Sequence, residues 1–300
     1  MPTQTELTVP TLGAGRYDSP LQAKGRRFRD PGLRVLLQAR AGVEDLEGVG
    51  LSVEKAGPRE RLFFDPAKTT AAFVTCGGLA PGRPHPIRPP DAELPHNSGV
   101  RRELRIPQGY QGLDPNEGLE PITLTPSFVD DIIDMGGTVL GTSRGGREAA
   151  DMVDYLEAHD IDILFCMGGD GTQRGAHAIA VEAAKRGTAR AIVGIPKTID
   201  NDVPYVYQSF GYATALEEAT DVLRHAHVEA RCHHNGIGLV KLMGRDAGFI
   251  AAGAAVAAQE ANFVLVPEVP FPLEGDDGFL AALEEAADVL RHAHVEARCH

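Results

Sequence analysis

The chain has 300 residues, 43% hydrophobic and 24% charged, which is ordinary for a globular protein with room for one large or two ordinary domains. Its 42 acidic against 29 basic side chains give a formal charge of -13, which repels a phosphate backbone over most of the surface and argues against a nucleic-acid partner. No apolar run approaches the roughly 18 residues of a membrane helix, and the first residues, "MPTQTELTVPTLGAG", carry no basic stretch followed by an apolar one; a cytoplasmic protein with no membrane partner is expected.

Residues 1–68 are rich in Gly, Pro and Arg, with little sustained periodicity, and read as an N-terminal extension holding short elements such as "LRVLLQ". Beyond them, short apolar runs alternate with longer helical patterns. "TAAFVTC", "IDILFCM", "ARAIVGI", "GIGLVKL" and "NFVLV" have strand length, whereas "REAADMVDYLEAH", "TQRGAHAIAVEAAKR" and "ATALEEATDVLRHAHVEA" have helix length. This alternation predicts an α/β fold with a doubly wound, mainly parallel sheet. The expected organisation is one α/β domain over 69–235 and a smaller second one over 236–300. Leu216, Ala219, Leu223, Ala226 and Ala230 follow a three-four spacing that places one apolar stripe against the sheet.

Two features break the alternation. "PGRPHPIRPPDAELPHNSG", 81–99, holds six prolines where a helix should follow the first strand, so that helix is expected to be broken or absent. The segment 215–233 returns at 282–300 with one difference, Thr220 against Ala287, and reads as a recent duplication or a constructed ending. Cys76, Cys166, Cys232 and Cys299 show no C-x-x-C spacing and read as reduced thiols. His225 and His227 lie two apart on a helix and do not share a face, so no metal is expected there.

Four strand runs end at once in glycine-rich or charged turns, "CGGLAPG", "GGDGTQRG", "PKTIDND" and "MGRDAG", and ligands of open α/β sheets bind at the carboxyl ends of strands. In "MGGDGTQRGA", Gly168, Gly169 and Gly171 let the backbone approach a ligand, and a helix starting near Thr172 offers unpaired N–H groups to an anion. Asp170 inside such a cradle is compatible with phosphate when Mg²⁺ lies between them. "PKTIDND" supplies Lys197 as a point charge, Thr198 as a hydroxyl donor, and Asp200 and Asp202 as candidate base and cation partner. Arg245 and Arg144 are candidate basic clamps. Singly, each is also an ordinary loop charge; jointly they read as phosphoryl transfer.

"CGGLAPG", "GYQGL", "PITLTPSFVDDI", "GGTVLGTSRG", "GGDGTQRGA", "GIPKTIDNDV", "QSFGYATA", "HNGIGLVKLMGRDAGFIA" and "VPEVPF", in this order, resemble the phosphofructokinase family, above all its longer ATP-dependent members. The resemblance implies Asp200 as the base for the 1-hydroxyl of fructose 6-phosphate, with Lys197 and Asp202 beside it, and Asp170 as the Mg²⁺ ligand. It implies ATP contacts at Gly77, Gly78, Arg144, Gly168, Gly169, Gly171 and Thr172, and sugar-phosphate contacts at Thr198, Met243, Gly244, Arg245 and Glu268. Gly171 favours ATP, because the pyrophosphate-dependent branch typically carries aspartate there; Lys197 is typical of pyrophosphate enzymes but also occurs in the longer ATP-dependent ones. Relative to the family pattern the chain is expected to be incomplete at its C-terminus, short of sugar-phosphate ligands and of surfaces used in homo-oligomers. The alternatives are a pyrophosphate-dependent enzyme and a non-catalytic nucleotide-binding subunit.

Overall fold

The computed structural model describes residues 7–25, 27–37, 51–78, 98–124, 141–143 and 145–287. They divide into two compact units, one ending at Lys197 and the other running from Thr198 onward. The division falls inside the segment 69–235 that the sequence groups as one domain. Most of the proline-rich stretch, Arg144 and the last thirteen residues of the second copy, 288–300, lie outside the described residues.

The first unit begins with two small antiparallel pairs. β1 (Tyr17–Asp18) pairs with β4 (Arg61–Leu62), and β2 (Arg34–Leu36) with β3 (Ser52–Glu54). Its main sheet contains β5 (Thr70–Thr75), β6 (Arg102–Ile106), β7 (Ile122–Thr123), β8 (Ile163–Gly168) and β9 (Ala191–Thr198). The order is β9-β8-β5-β6-β7, parallel except for β7, so the α/β reading with a mainly parallel sheet holds. Every residue of β5 is buried, as a central strand covered on both faces requires. Its alternation assigns the faces. Ala72 and Val74 join Leu104, Ile106, Leu164 and Cys166 under the helices α1 (Ala149–Ala158) and α2 (Asp170–Arg186), which contribute Met152, Val153, Leu156, Ala176 and Ile179. Phe73 points the other way, stacked on its register partner Phe165 at 5.1 Å and clustered with Met167 and Ile195.

Helix α2 stops where its sequence says it should. Gly187 takes the left-handed conformation and its N–H reaches Ala183 O and Ala184 O, while Lys185 and Arg186 in the last turn oppose the negative dipole end.

The second unit holds the short strand β10 (Phe210–Gly211) and the helices α3 (Tyr212–Cys232) and α4 (Phe249–Ala258). Two expectations are corrected here. The apolar stripe of α3 packs against α4: Ala215 and Ala219 meet Ile250 and Ala254, with Leu216 and Leu223 alongside. Small residues on both helices allow that approach, and a three-four spacing does not say whether the partner is a sheet or a helix. The runs "GIGLVKL" (236–242) and "NFVLV" (262–266) form no strand. Strand propensity alone makes no ladder, and neither run pairs with a strand among the described residues. Leu242 packs against the α3–α4 cluster, whereas other side chains of these runs stay out, with Leu239 89% exposed.

Candidate active site

In the first unit the carboxyl ends of β5 and β8 build the glycine-rich turns. Strand β8 ends at Gly168, Gly169 is the N-cap of α2 in extended conformation, and Asp170 opens the helix. Thr172 N and Gln173 N both bond to Gly169 O, which closes the first helical turn, whereas helix geometry gives the N–H groups of Asp170 and Gly171 no intrahelical acceptor. A Cβ at Gly168 would stand 2.7 Å from Thr172 Cβ and 2.8 Å from Cys76 O, so only glycine fits. At Gly171 a Cβ would meet nothing within 4 Å among the described residues, which leave the space above the helix start open.

Hydrogen bonds between chain segments fix this cradle. Tyr110 Oη donates to Thr172 O at 2.7 Å, and Gln173 Nε2 donates to Gly168 O at 2.9 Å and to Ile195 O at 3.1 Å. Thr142 Oγ1 donates to Gly77 O at 2.7 Å, and Gly77 N reaches Ser143 O at 3.4 Å. Lys197 is buried and donates to Gly78 O at 2.6 Å, so one of its three donors shapes the first loop. Burial lowers its pKa, offset in part by Cys76. Burial pushes the Cys76 thiol up to about 12, an inert group, and among the described cysteines Cys76, Cys166 and Cys232 are free thiols.

Asp170 pairs with Arg174 one turn along α2 at 2.8 Å. Among the described residues no cluster of three His, Cys, Asp or Glu side chains could enclose a metal. A single carboxylate at a helix N-terminus still suits Mg²⁺, which takes few protein ligands and completes its shell with phosphate oxygens and water.

In the second unit, the turn after Thr198 carries the two acids. Thr198 Oγ1 accepts from Asp200 N at 3.2 Å and donates to Asp200 Oδ2 at 3.4 Å. Burial first, then the charge of Asp202, raise the Asp200 carboxyl above its ordinary range, against smaller opposing effects of Thr198 and Arg245. Between the acids sits Asn201, buried and left-handed with φ 55°. It accepts from Ser209 N at 2.8 Å and from Ser209 Oγ at 3.1 Å, and donates to Tyr207 O at 3.1 Å. Ser209 Oγ also lies 2.7 Å from Thr198 O, so its one proton is shared between the two acceptors. Arg245, left-handed at φ 57°, stands 3.4 Å from Asp202 and is 60% exposed at its side chain. Met243 is exposed beside Gly244. Glu268 accepts from Gly248 N through both oxygens, at 2.8 and 3.1 Å, and so caps α4.

Gly77, Gly78, Gly168, Gly169, Asp170, Gly171, Thr172 and Lys197 are therefore grouped in the first unit, and Thr198, Asp200, Asp202 and Arg245 in the second; Arg144 lies outside the described residues. The bracing side chains Tyr110, Gln173, Asn201 and Ser209 received no role from the sequence. Only Asn201 left a signal, an asparagine between two acids where a left-handed turn is required.

The phosphofructokinase family model matches residues 70–297. The chain belongs to this family. It is 45% identical over 289 residues to an ATP-dependent 6-phosphofructokinase of Amycolatopsis methanolica, covering 93% of this chain and 63% of the relative. With an ATP-dependent 6-phosphofructokinase of Borreliella burgdorferi the identity is 50% over 247 residues, 80% of this chain and 55% of the relative. The chain thus spans between about half and two thirds of the length of these relatives. Among solved structures, a phosphofructokinase of Pichia pastoris matches with TM-score 0.60 at 20% identity, covering 77% of this chain and 24% of that one. A pyrophosphate-dependent phosphofructokinase of Marinobacter aquaeolei matches with TM-score 0.56 at 23% identity, covering 68% and 54%. At such identities the structures establish the shared fold.

Proposed function

We propose that the chain carries the nucleotide cradle and catalytic base of an ATP-dependent 6-phosphofructokinase, transferring the γ-phosphoryl group of ATP to the 1-hydroxyl of fructose 6-phosphate. The observation that carries the choice of donor is the open space at Gly171, which leaves room beside the helix start for a nucleotide's inner phosphate. The names of the curated relatives point the same way.

In this reading Asp200 removes the proton of the attacking hydroxyl. A carboxylate whose pKa is raised by burial and by a neighbouring acid is better matched to that task than an ordinary one. Thr198 orients it, and Asp202 both raises its pKa and holds Arg245 for the sugar phosphate. Met243, Gly244 and Glu268 belong to the same sugar-phosphate segment, and Arg144 to the nucleotide side. Gly77, Gly78, Gly168, Gly169 and Thr172 line the phosphates with backbone, and Lys197 keeps two donors beyond its bond to Gly78. Asp170 would hold Mg²⁺, whose chemistry is to neutralise charge on the transferring phosphates. The exposed Met243 and Val269 support a homo-oligomeric assembly.

The test is a phosphoryl-transfer assay on the purified 300-residue chain with fructose 6-phosphate and Mg²⁺, giving ATP or pyrophosphate in parallel. Turnover with ATP is expected; turnover with pyrophosphate alone overturns the argument from Gly171, and saturable ATP binding without turnover assigns a nucleotide-binding subunit instead. Gly171→Asp, which meets no steric obstacle among the described residues, should shift preference from ATP toward pyrophosphate.

A further inference from the structure

At the amino ends of the parallel strands, opposite the cradle, the first unit contains a second concavity of about 510 Å³. Its lining includes Thr70 and Arg102, the first residues of β5 and β6, and Asp162 and Arg190, which directly precede β8 and β9. Strand β5 has six residues at about 3.3 Å each, so about 20 Å separates this cavity from the turn at Gly77.

Its charge runs against that of the molecule. Four cations, Lys68, Arg101, Arg102 and Arg190, face two carboxylates, Asp160 and Asp162, on a chain whose formal charge is -13. The carboxylates do not neutralise the cations evenly. Asp162 is engaged: it accepts from Thr70 N at 2.9 Å and lies 3.3 Å from Arg190 Nη1. Arg190 also donates to Ile161 O at 2.8 Å, while its buried Nε has no hydrogen-bond partner among the described residues. Asp160, held left-handed at φ 53°, forms no ion pair among the described residues, and neither do Arg101 and Arg102. Lys68 pairs with Asp65 at 3.6 Å, so it is Asp160, Arg101 and Arg102 that line the cavity without closing on each other, which leaves an acceptor for a hydroxyl and forked donors for an anion.

We propose that this cavity binds a small hydroxyl-bearing phosphate monoester, with Arg101, Arg102 and Arg190 on the phosphate and Asp160 on a hydroxyl. The backbone amides here are already used, Arg101 N on Pro66 O, Arg102 N on Thr69 O and Ala191 N on Asp162 O, so recognition rests on the side chains. The ligand is distinct from the substrates bound at the carboxyl ends of the strands and would act from the opposite edge of the same sheet.

Calorimetric titration of the full chain with glycerol phosphate and with inorganic phosphate, at ionic strength held constant with chloride, tests this. Saturable binding is expected, tighter for the ester. The double variant Arg101→Ala, Arg102→Ala removes two exposed side chains, so it should melt like the parent yet bind at least about 10-fold more weakly, since each charge-assisted pair contributes strongly. Asp160→Asn should abolish the preference for the ester. Gly171→Asp, which alters the cradle alone, should leave this binding intact. Absence of saturable binding in the parent, parent-like binding by the double variant, or loss of binding in Gly171→Asp overturns the proposal; an unchanged ester preference in Asp160→Asn overturns the hydroxyl contact.

Discussion

The two units treat similar sequence material in opposite ways. In the first, apolar runs at 70–76, 161–167 and 189–195 have become adjacent parallel strands, and the turns at their carboxyl ends are tied together by Tyr110, Thr142, Gln173 and Lys197. In the second, apolar runs at 236–242 and 262–266 lie outside any ladder, and the turn bearing Asp200 is braced mainly from within its own neighbourhood by Asn201 and Ser209. A strand is stabilised by what lies beside it, so hydrophobicity becomes structure only where neighbours bring complementary backbone groups.

Four substitutions break or sharpen this contrast. The largest effect is expected at Asp200. Asp200→Asn should lower turnover by about 10² to 10⁴-fold, the usual contribution of a general base, with ATP affinity nearly unchanged in a direct titration. The same variant carries a pH signature. Because the folded-state pKa of Asp200 lies above its ordinary 3.8, the native state keeps a proton that the unfolded chain releases. Its stabilising contribution is present at low pH and lost as pH rises through the folded value. Urea unfolding should therefore show the variant gaining stability relative to the parent as pH rises from below 3.8, and a gap independent of pH would remove the assigned burial of charge.

Next comes the sheet interior. Leu164 is fully buried in β8, and Leu164→Ala should cost about 2–5 kcal/mol in urea unfolding. Gln173→Ala should cost about 1–3 kcal/mol, because two carbonyls, Gly168 O and Ile195 O, lose their shared donor. It should also weaken nucleotide binding if the cradle depends on that brace. The smallest effect is expected at Leu239, where Leu239→Ser in the isolated chain should change stability by less than about 0.5 kcal/mol. A large loss there would mean that this exposed run is covered in solution.

Much of the first unit was legible. The three strands and both helices came out within two or three residues of their apolar patterns, because each has a period that burial on one or both faces enforces. The turns were legible as well, since glycine at 168 answers a close approach that no side chain could tolerate. The braces were not. Tyr110 reaches Thr172 across 62 positions and Lys197 reaches Gly78 across 119, and no local pattern encodes such partners. The second unit shows the converse failure, in which local pattern promised strands and an α3 stripe facing a sheet, and the structure gave irregular chain and a helix pair.

By itself the sequence determined the alternation of the parallel sheet with its helices, the glycine turns and the acids of "PKTIDND", all properties set by side-chain period and local backbone freedom. Only the tertiary structure decided which charges are engaged. Lys197 is committed to Gly78, Glu268 to the start of α4 and Asp170 to Arg174, while Asp160, Arg101 and Arg102 face one cavity without pairing. The reason is physical: a charge's partner is fixed by distance in space, and distance between remote segments is set by packing.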